Sequence, residues 1–203
     1  MDELEHWAQL SYELRAAVLV TCDTRVLLLQ NGNPVVGWPD VDDGDIGIDV
    51  ALQHPEKCIG TLNTTAGPVS IGVLAGAAAL NEPMAARSLM LAGAELIVNV
   101  VAEEEGDLTE RDDDVLMTRG FENAAAVARV SHARSAVANW CNDMIPDGCE
   151  DGQKLLALAV GPVPGSVVHS SFNLTALRVQ RSNCIWGDAF RRPFQCETSP
   201  CGT

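Results

Sequence analysis

The groups in this chain with chemistry to offer are its thiols, its clustered carboxylates and one strand-to-helix corner. The cysteines are Cys22, Cys58, Cys141, Cys149, Cys184, Cys196 and Cys201, and the histidines are His6, His54, His132 and His169. Their odd number, irregular spacing and lack of a CxxC pair make neither a disulfide framework nor a zinc site. Carboxylates concentrate in "DVDDGDIGID" (40–49) and "EEEGDLTERDDD" (103–114). Neither run spaces its oxygens as an EF-hand does, so both are expected as solvated, irregular loops. No metal and no cofactor is expected. The stretch "IGVLAGAAALNEPMAARSLMLAGAELIVNV" (71–100) reads as strand, small-residue corner, helix and strand. Such a corner commonly holds an enzyme's nucleophile. Here it offers Gly76, Ala77, Ala78 and Ala79, and none carries a reactive heteroatom.

The elements that position these groups follow from periodicity. "LEHWAQLSYELRAAV" puts Leu4, Trp7, Leu10 and Leu14 on one helical stripe, and "AVLVTCD" follows as a strand. "RVLLLQNGNPVVGW" is two apolar runs around an Asn-Gly turn, and "TLNTTAGPVSIGVLAG" a second hairpin turning at Ala66, Gly67 and Pro68. A helix from Pro83 to Ala92 begins with proline and is followed by Gly93, the expected asymmetry. "AELIVNVVA" is a near-continuous apolar strand, as for one covered on both faces. "DDDVLMTRGFENAAAVA" opens a helix on aspartates and carries Gly120 at some helical cost. "AVARVSHARSAVANW", "KLLALAVG" and "GSVVHSSF" read as strands, with "NDMIPDGCEDG" a turn-rich separator. Asn173 can cap a helix over "LTALRVQRSN", and the tail "IWGDAFRRPFQCETSPCGT" is irregular.

The 203 residues suit one sizeable core, and apolar residues at 47% against 20% charged fit a single α/β domain over 1–203. A net charge of −15 and a pI near 4.4 argue against nucleic acid or an anionic membrane as partner. No apolar run approaches the ~18 residues that span a bilayer. "MDELEHWAQL" lacks the basic start of a signal peptide, so a cytoplasmic location is the default and the triplets "NTT" at 63 and "NLT" at 173 carry no weight as glycosylation sites.

In order along the chain, several segments resemble the nitrilase and amidase superfamily of carbon–nitrogen hydrolases. Pro83 through Arg87 to Gly93, Ala94 and Glu95 is similar to the helix that leads from the family's nucleophile to its "GAE" or "GAD" strand. "VLMTRGFENAAAVA", with Arg119, Glu122 and Asn123, looks like the family's "L..RA.EN..YV" segment. "MIPDG" resembles its "i.dPdG" turn, and "FNLTALRVQRS" with "WGDAFRRP" resembles its closing segment. The resemblance covers about residues 20–195, leaving 196–203 as a tail. It implies an α-β-β-α sandwich, N-terminally incomplete, paired as a homodimer or as a hetero-oligomer with a related subunit.

The family's chemistry uses a glutamate to move a proton, a lysine to stabilise negative charge and a cysteine thiolate to attack carbon. By resemblance, Ala77 stands at the nucleophile position, or Gly76 if the register slips by one. Trp38 and Asp40 stand at the tyrosine and lysine of the hairpin, which reverses the charge at the lysine position. The first glutamate belongs to a segment preceding a helix like residues 3–17. The catalytic set is therefore not intact. Glu56, Lys57 and Cys58 adjoin one another, but three chain neighbours do not converge on one centre, and the thiol is expected to be inert. Asn99 and Glu103 lie where family members line a pocket, alongside Gly76 and Ala77. Arg119 with Glu122 is expected as a helix-packing ion pair, and Arg191 and Arg192 of "FRRP" as structural donors.

The resulting expectation is a catalytically inactive homologue that binds a small amide-like ligand or acts as a scaffold. The alternative is an active hydrolase of amide, nitrile or ureido substrates, completed by an upstream segment or a partner chain.

Overall fold

The computed structural model describes residues 3–22, 25–38, 47–65, 67–101, 108–131, 134–138, 158–161, 168, 170 and 172–183. Helix α1 (Glu3–Leu14) stops where Arg15 turns left-handed at φ 51°, and the chain enters strand β1 (Ala17–Cys22). β1 pairs antiparallel with β2 (Arg25–Gln30), and β2 with β3 (Asn33–Trp38), in the order β1-β2-β3. The reversal at Asn31 and Gly32, with φ of 53° and 79°, is the two-residue turn that "NGN" predicts. The apolar stripe expected on α1 is corrected. Leu4 and Leu14 are exposed, whereas Ser11 is fully buried and donates its Oγ–H to the Ala16 carbonyl at 2.8 Å. With the helix broken at Arg15, Leu14 falls in the last turn and projects outward.

Residues expected in the acidic loop instead begin helix α2 (Ile48–Gln53), which takes in Ile48 and Asp49 and is followed by a 3₁₀ turn over Pro55–Cys58. β4 (Ile59–Thr64) and β5 (Gly67–Ala75) form the second predicted hairpin. Its turn comes earlier than expected, because Gly67 and Pro68 already pair with Thr64 and Asn63. β6 (Leu96–Val100) and β7 (Ala126–Val130) run parallel to β5, and β8 (Ser135–Ala138) and β9 (Leu158–Gly161) follow antiparallel, in the order β4-β5-β6-β7-β8-β9. Helices α3 (Pro83–Leu91) and α4 (Glu110–Asn123) supply the two crossovers.

Further corrections concern boundaries. "AAAVA" leaves the helix at Ala124, whose φ of 44° ends it, and "AVARVSHARSAVANW" is a β7–β8 hairpin rather than one strand. Of "GSVVHSSF", residues 168, 170 and 172 lie in no strand, and the rest falls outside the described residues. "NDMIPDGCEDG" and the tail after 183 also lie outside them. Helix α5 (Leu174–Asn183) begins as predicted, with the Ala176 N–H donating to Asn173 Oδ1 at 3.0 Å.

Alternation assigns the faces. A Cβ added at Gly72 would stand 3.0 Å from Leu89 Cδ1 and 3.1 Å from the Ala94 Cβ, so Gly72 faces α3. Its same-face neighbours Leu74 and Ile97 are buried under the helices, and Val26 and Leu28 of β2 join the buried cluster of Ile71, Val73, Val98 and Val100. The layers are thus α1, the three-stranded sheet, the six-stranded sheet, then α3 with α4. The two sheets also meet at one polar seam. There the Gln30 side-chain amide donates to the Asn63 carbonyl, and the Asn63 N–H donates to Gln30 Oε1 at 3.2 Å. Gly72→Ala is expected to lower stability by about 1–3 kcal/mol by overpacking α3. A lowered urea midpoint with an unchanged slope is the measurement that checks it.

α5 is strapped across the amino ends of the parallel strands. Arg178 donates to both Glu95 oxygens, at 2.5 Å from Nε and 2.9 Å from Nη2, and Arg181 donates to the carbonyls of Ala124 and Ala94 at 2.8 and 2.7 Å. Burial alone would push the Glu95 carboxyl up, but the Arg178 hydrogen bonds and charge, with the Ser70 N–H, together outweigh it and hold the group below its ordinary 4.5. A carboxyl depressed on folding contributes stability above its unfolded value and loses it as pH falls through the folded one. The urea midpoint is therefore expected to fall on acidification below about 4.5, and Glu95→Gln to flatten that part of the profile.

Candidate functional site

The carboxyl ends of parallel strands are where open α/β sheets hold ligands. Here β5 reaches that edge at Ala75 and turns through Gly76, whose φ of 102° favours glycine. The Gly76 N–H donates to the Val100 carbonyl at 2.9 Å, and the Ala79 N–H returns to the Gly76 carbonyl at 3.2 Å. Ala77 is half-buried and Ala78 exposed, and a 3₁₀ turn over Ala79–Asn81 leads into α3. Glu82 caps that helix by accepting from the Met84 N–H at 3.1 Å. The corner expected from sequence is present, and it presents methyl groups and backbone.

Asn99, predicted as a pocket residue, is fully buried beneath this corner. Its Nδ2 donates to the carbonyls of Gly76 at 2.9 Å and Leu74 at 3.3 Å, so it braces the end of β5. Its Oδ1 has no hydrogen-bond partner among the described residues. Glu103 and Asp40, and Arg191 and Arg192, lie outside the described residues, as does the side chain of Trp38.

Arg119 and Glu122 form the expected ion pair at 2.5 Å, and the structure adds a second task. Arg119 Nε donates at 2.7 Å to the Leu80 carbonyl, which fixes the turn following Ala77 to α4. Asn123 Nδ2 donates to the Arg119 carbonyl at 2.9 Å, and Arg87 Nη2 to the Glu122 carbonyl at 3.1 Å. The backbone around the corner is thus held by side chains from β6 and α4, and Arg87 ties α3 to α4.

Sequence reasoning missed a buried ionic cluster near the same edge. Asp113, in the first turn of α4, accepts from Arg129 Nη2 on one oxygen and from Arg134 on the other, at 3.0 Å from Nε and 2.5 Å from Nη2. Arg129 is only 2% exposed. The available signal was a charged residue inside the otherwise apolar strand "AVARV", a pattern that demands a buried partner.

Cys58 sits in the core, and burial, followed by the charge of Glu56, pushes its thiol up to about 11 despite Lys57. Such a thiol is protonated at neutral pH and a poor nucleophile. Glu56 and Lys57 are exposed, so the three neighbours do not converge. Among the described residues no three His, Cys, Asp or Glu side chains gather as metal ligands, and no helix is long and apolar enough to cross a membrane.

No protein-family model matches the chain, and no curated protein matches it. Solved structures do. A mutant of the Nesterenkonia AN1 amidase from the nitrilase superfamily, with alanine in place of a cysteine, is 18% identical, with a TM-score of 0.54 over 88% of this chain and 70% of that one. A cysteine-to-alanine mutant of the amidase from Nesterenkonia sp. AN1, in complex with butyramide, is 15% identical, with a TM-score of 0.54 and the same coverage of 88% and 70%. A glutamate-to-glutamine mutant of that amidase, which shows the Michael addition of acrylamide at its active site cysteine, is 15% identical, with a TM-score of 0.53 over 88% and 72%. The two sheets, the crossovers and the corner therefore compose the fold of the nitrilase-superfamily amidases.

Proposed function

We propose that this protein is a carbon–nitrogen hydrolase homologue that does not hydrolyse, and that it holds a small amide-like ligand at the corner or serves as a scaffold. One observation carries the reading: Gly76, Ala77, Ala78 and Ala79 close β5 on the edge where such a fold attacks its substrate, and no sulfur stands there. The described thiol at Cys58 is buried elsewhere, with its pKa raised. The polar bracing by Asn99 and Arg119 keeps the corner shaped although its chemistry is gone. The butyramide complex of a cysteine-to-alanine amidase mutant supports amide binding without sulfur in a protein of this fold. A homodimer, or assembly with a related subunit, belongs to the same proposal, as does a cytoplasmic location.

The test has two arms on the purified full chain. Titration with butyramide or acrylamide, followed by NMR shifts of the Gly76 and Ala78 amides, is expected to saturate; shifts spread evenly over the molecule would remove the ligand half of the proposal. Ammonia release from a panel of amides, ureido acids and nitriles reads the other half. Release above blank that disappears on changing one named residue establishes the active-hydrolase alternative instead.

A further inference from the structure

The turn between β2 and β3 sets an amide carbon beside an unshielded amide nitrogen. Asn31 is exposed and Gly32 half-buried, with φ of 53° and 79°. In a two-residue turn the flanking pair closes the ladder, here Gln30 with Asn33, so the Gly32 N–H takes no part in it. Among the described residues no hydrogen bond engages the Gly32 N–H or the Asn31 carboxamide. Glycine also has no side chain to screen its nitrogen. Little fixes the turn from the strand side: Asn33 Nδ2 donates to the Asn31 carbonyl at 3.1 Å, and the β2–β3 register shifts at Leu28 and Leu29. The other side is close. A Cβ added at Gly32 would stand 3.3 Å from the Tyr12 Cβ and 3.4 Å from the Ala8 carbonyl oxygen, so the turn lies against α1.

We propose that Asn31 is a self-modification site, which Gly32 converts to aspartate and isoaspartate. The Gly32 nitrogen gives its proton to hydroxide and bonds to the Asn31 Cγ. The Cγ–Nδ2 bond breaks, and the side-chain nitrogen takes a proton from water and leaves as ammonia. The result is a five-membered succinimide, which water opens at either carbonyl. Scission of the new Cγ–N bond yields aspartate. Scission of the original backbone C–N bond leaves Gly32 linked through Cγ, which is isoaspartate. No group is oxidised or reduced. Both reacting groups belong to adjacent residues, so the ring closes intramolecularly once local opening of the turn brings them together. Asn33 is a built-in contrast, because the following Pro34 has no N–H to lose and cannot close the ring. The isoaspartyl form carries one more main-chain carbon in a turn whose two residues are already in the left-handed region, and it displaces that turn from Tyr12. This assignment is independent of what the corner binds.

Ageing the folded full chain at neutral and mildly alkaline pH tests it, with the fragment that holds Asn31 weighed at intervals. The fragment is expected to gain the mass difference between an amide and an acid, faster in proportion to hydroxide. An isoaspartyl-specific carboxyl methyltransferase should label the aged protein. Asn31→Gly keeps the positive φ of the turn and should abolish both the gain and the label. Tyr12 is the only tyrosine in the chain, so its ring protons report the displacement by NMR: new ring signals should grow in step with the label. A folded chain that keeps its mass, while the same chain unfolded in guanidinium converts, overturns the inference. So does a gain that persists in Asn31→Gly. Conversion that leaves the Tyr12 signals unmoved overturns the displacement of the turn.

Discussion

Ammonia release from acetamide, butyramide or acrylamide in the presence of this protein is expected to stay at the blank rate. That is about a millionfold below a working cysteine hydrolase, the usual cost of removing a nucleophile from a catalytic unit. The reason is local: a methyl group at Ala77 has no electron pair to give to a carbonyl carbon. Ala77→Cys should place one thiol at the half-buried corner, where acrylamide alkylates it, seen as a single added mass absent from the parent under the same conditions. Turnover should nevertheless remain at blank, because an ordinary thiol stays mostly protonated at neutral pH and an amide leaving group still needs a proton. By the family resemblance, Ala77→Cys combined with Asp40→Lys supplies two of the three groups. Activity gained only in that pair marks an eroded site, and activity in the unaltered chain refutes the non-catalytic reading outright.

Asp113→Asn should be the most damaging conservative change in the described core. It removes the carboxylate that both Arg129 and Arg134 bond directly, and it leaves Arg129, 2% exposed, without its hydrogen-bonded counter-ion. Breaking a buried pair from one side costs about 3–5 kcal/mol, because the remaining charge keeps its desolvation penalty. In a chain of this size that corresponds to a melting temperature lower by roughly 10 °C. Asp113→Leu together with Arg129→Leu should recover most of the loss, since apolar replacement of both partners is often near neutral. A urea titration of the three proteins decides the matter. A loss under about 1 kcal/mol for Asp113→Asn would mean that the cluster is solvated.

Local signals were legible and distant ones were not. The Asn-Gly turn, the Pro83 start and the Asn173 cap each depend on a few adjacent residues, and each forms where the sequence places it. The Asp113 cluster joins side chains 16 and 21 positions apart, and Arg178 meets Glu95 across 83. No periodicity encodes such distances. The α1 stripe holds only in its middle: Trp7 and Leu10 are half-buried, whereas Leu4 and Leu14, in the first and last turns, are exposed. For the site, the absence of sulfur at 76–79 is plain from composition. That the Asn99 amide braces the corner is a matter of which way a strand residue points, and that is set by the register of its neighbours.

The polar seam between Gln30 and Asn63 has a practical corollary. One glutamine imitates a peptide group and so gives Asn63 the bonding it would have beside another strand. The deuterium uptake of that single amide becomes a gauge of whether the two layers remain docked. Replacement of Gln30 by alanine should silence the gauge while leaving each layer's own ladder intact.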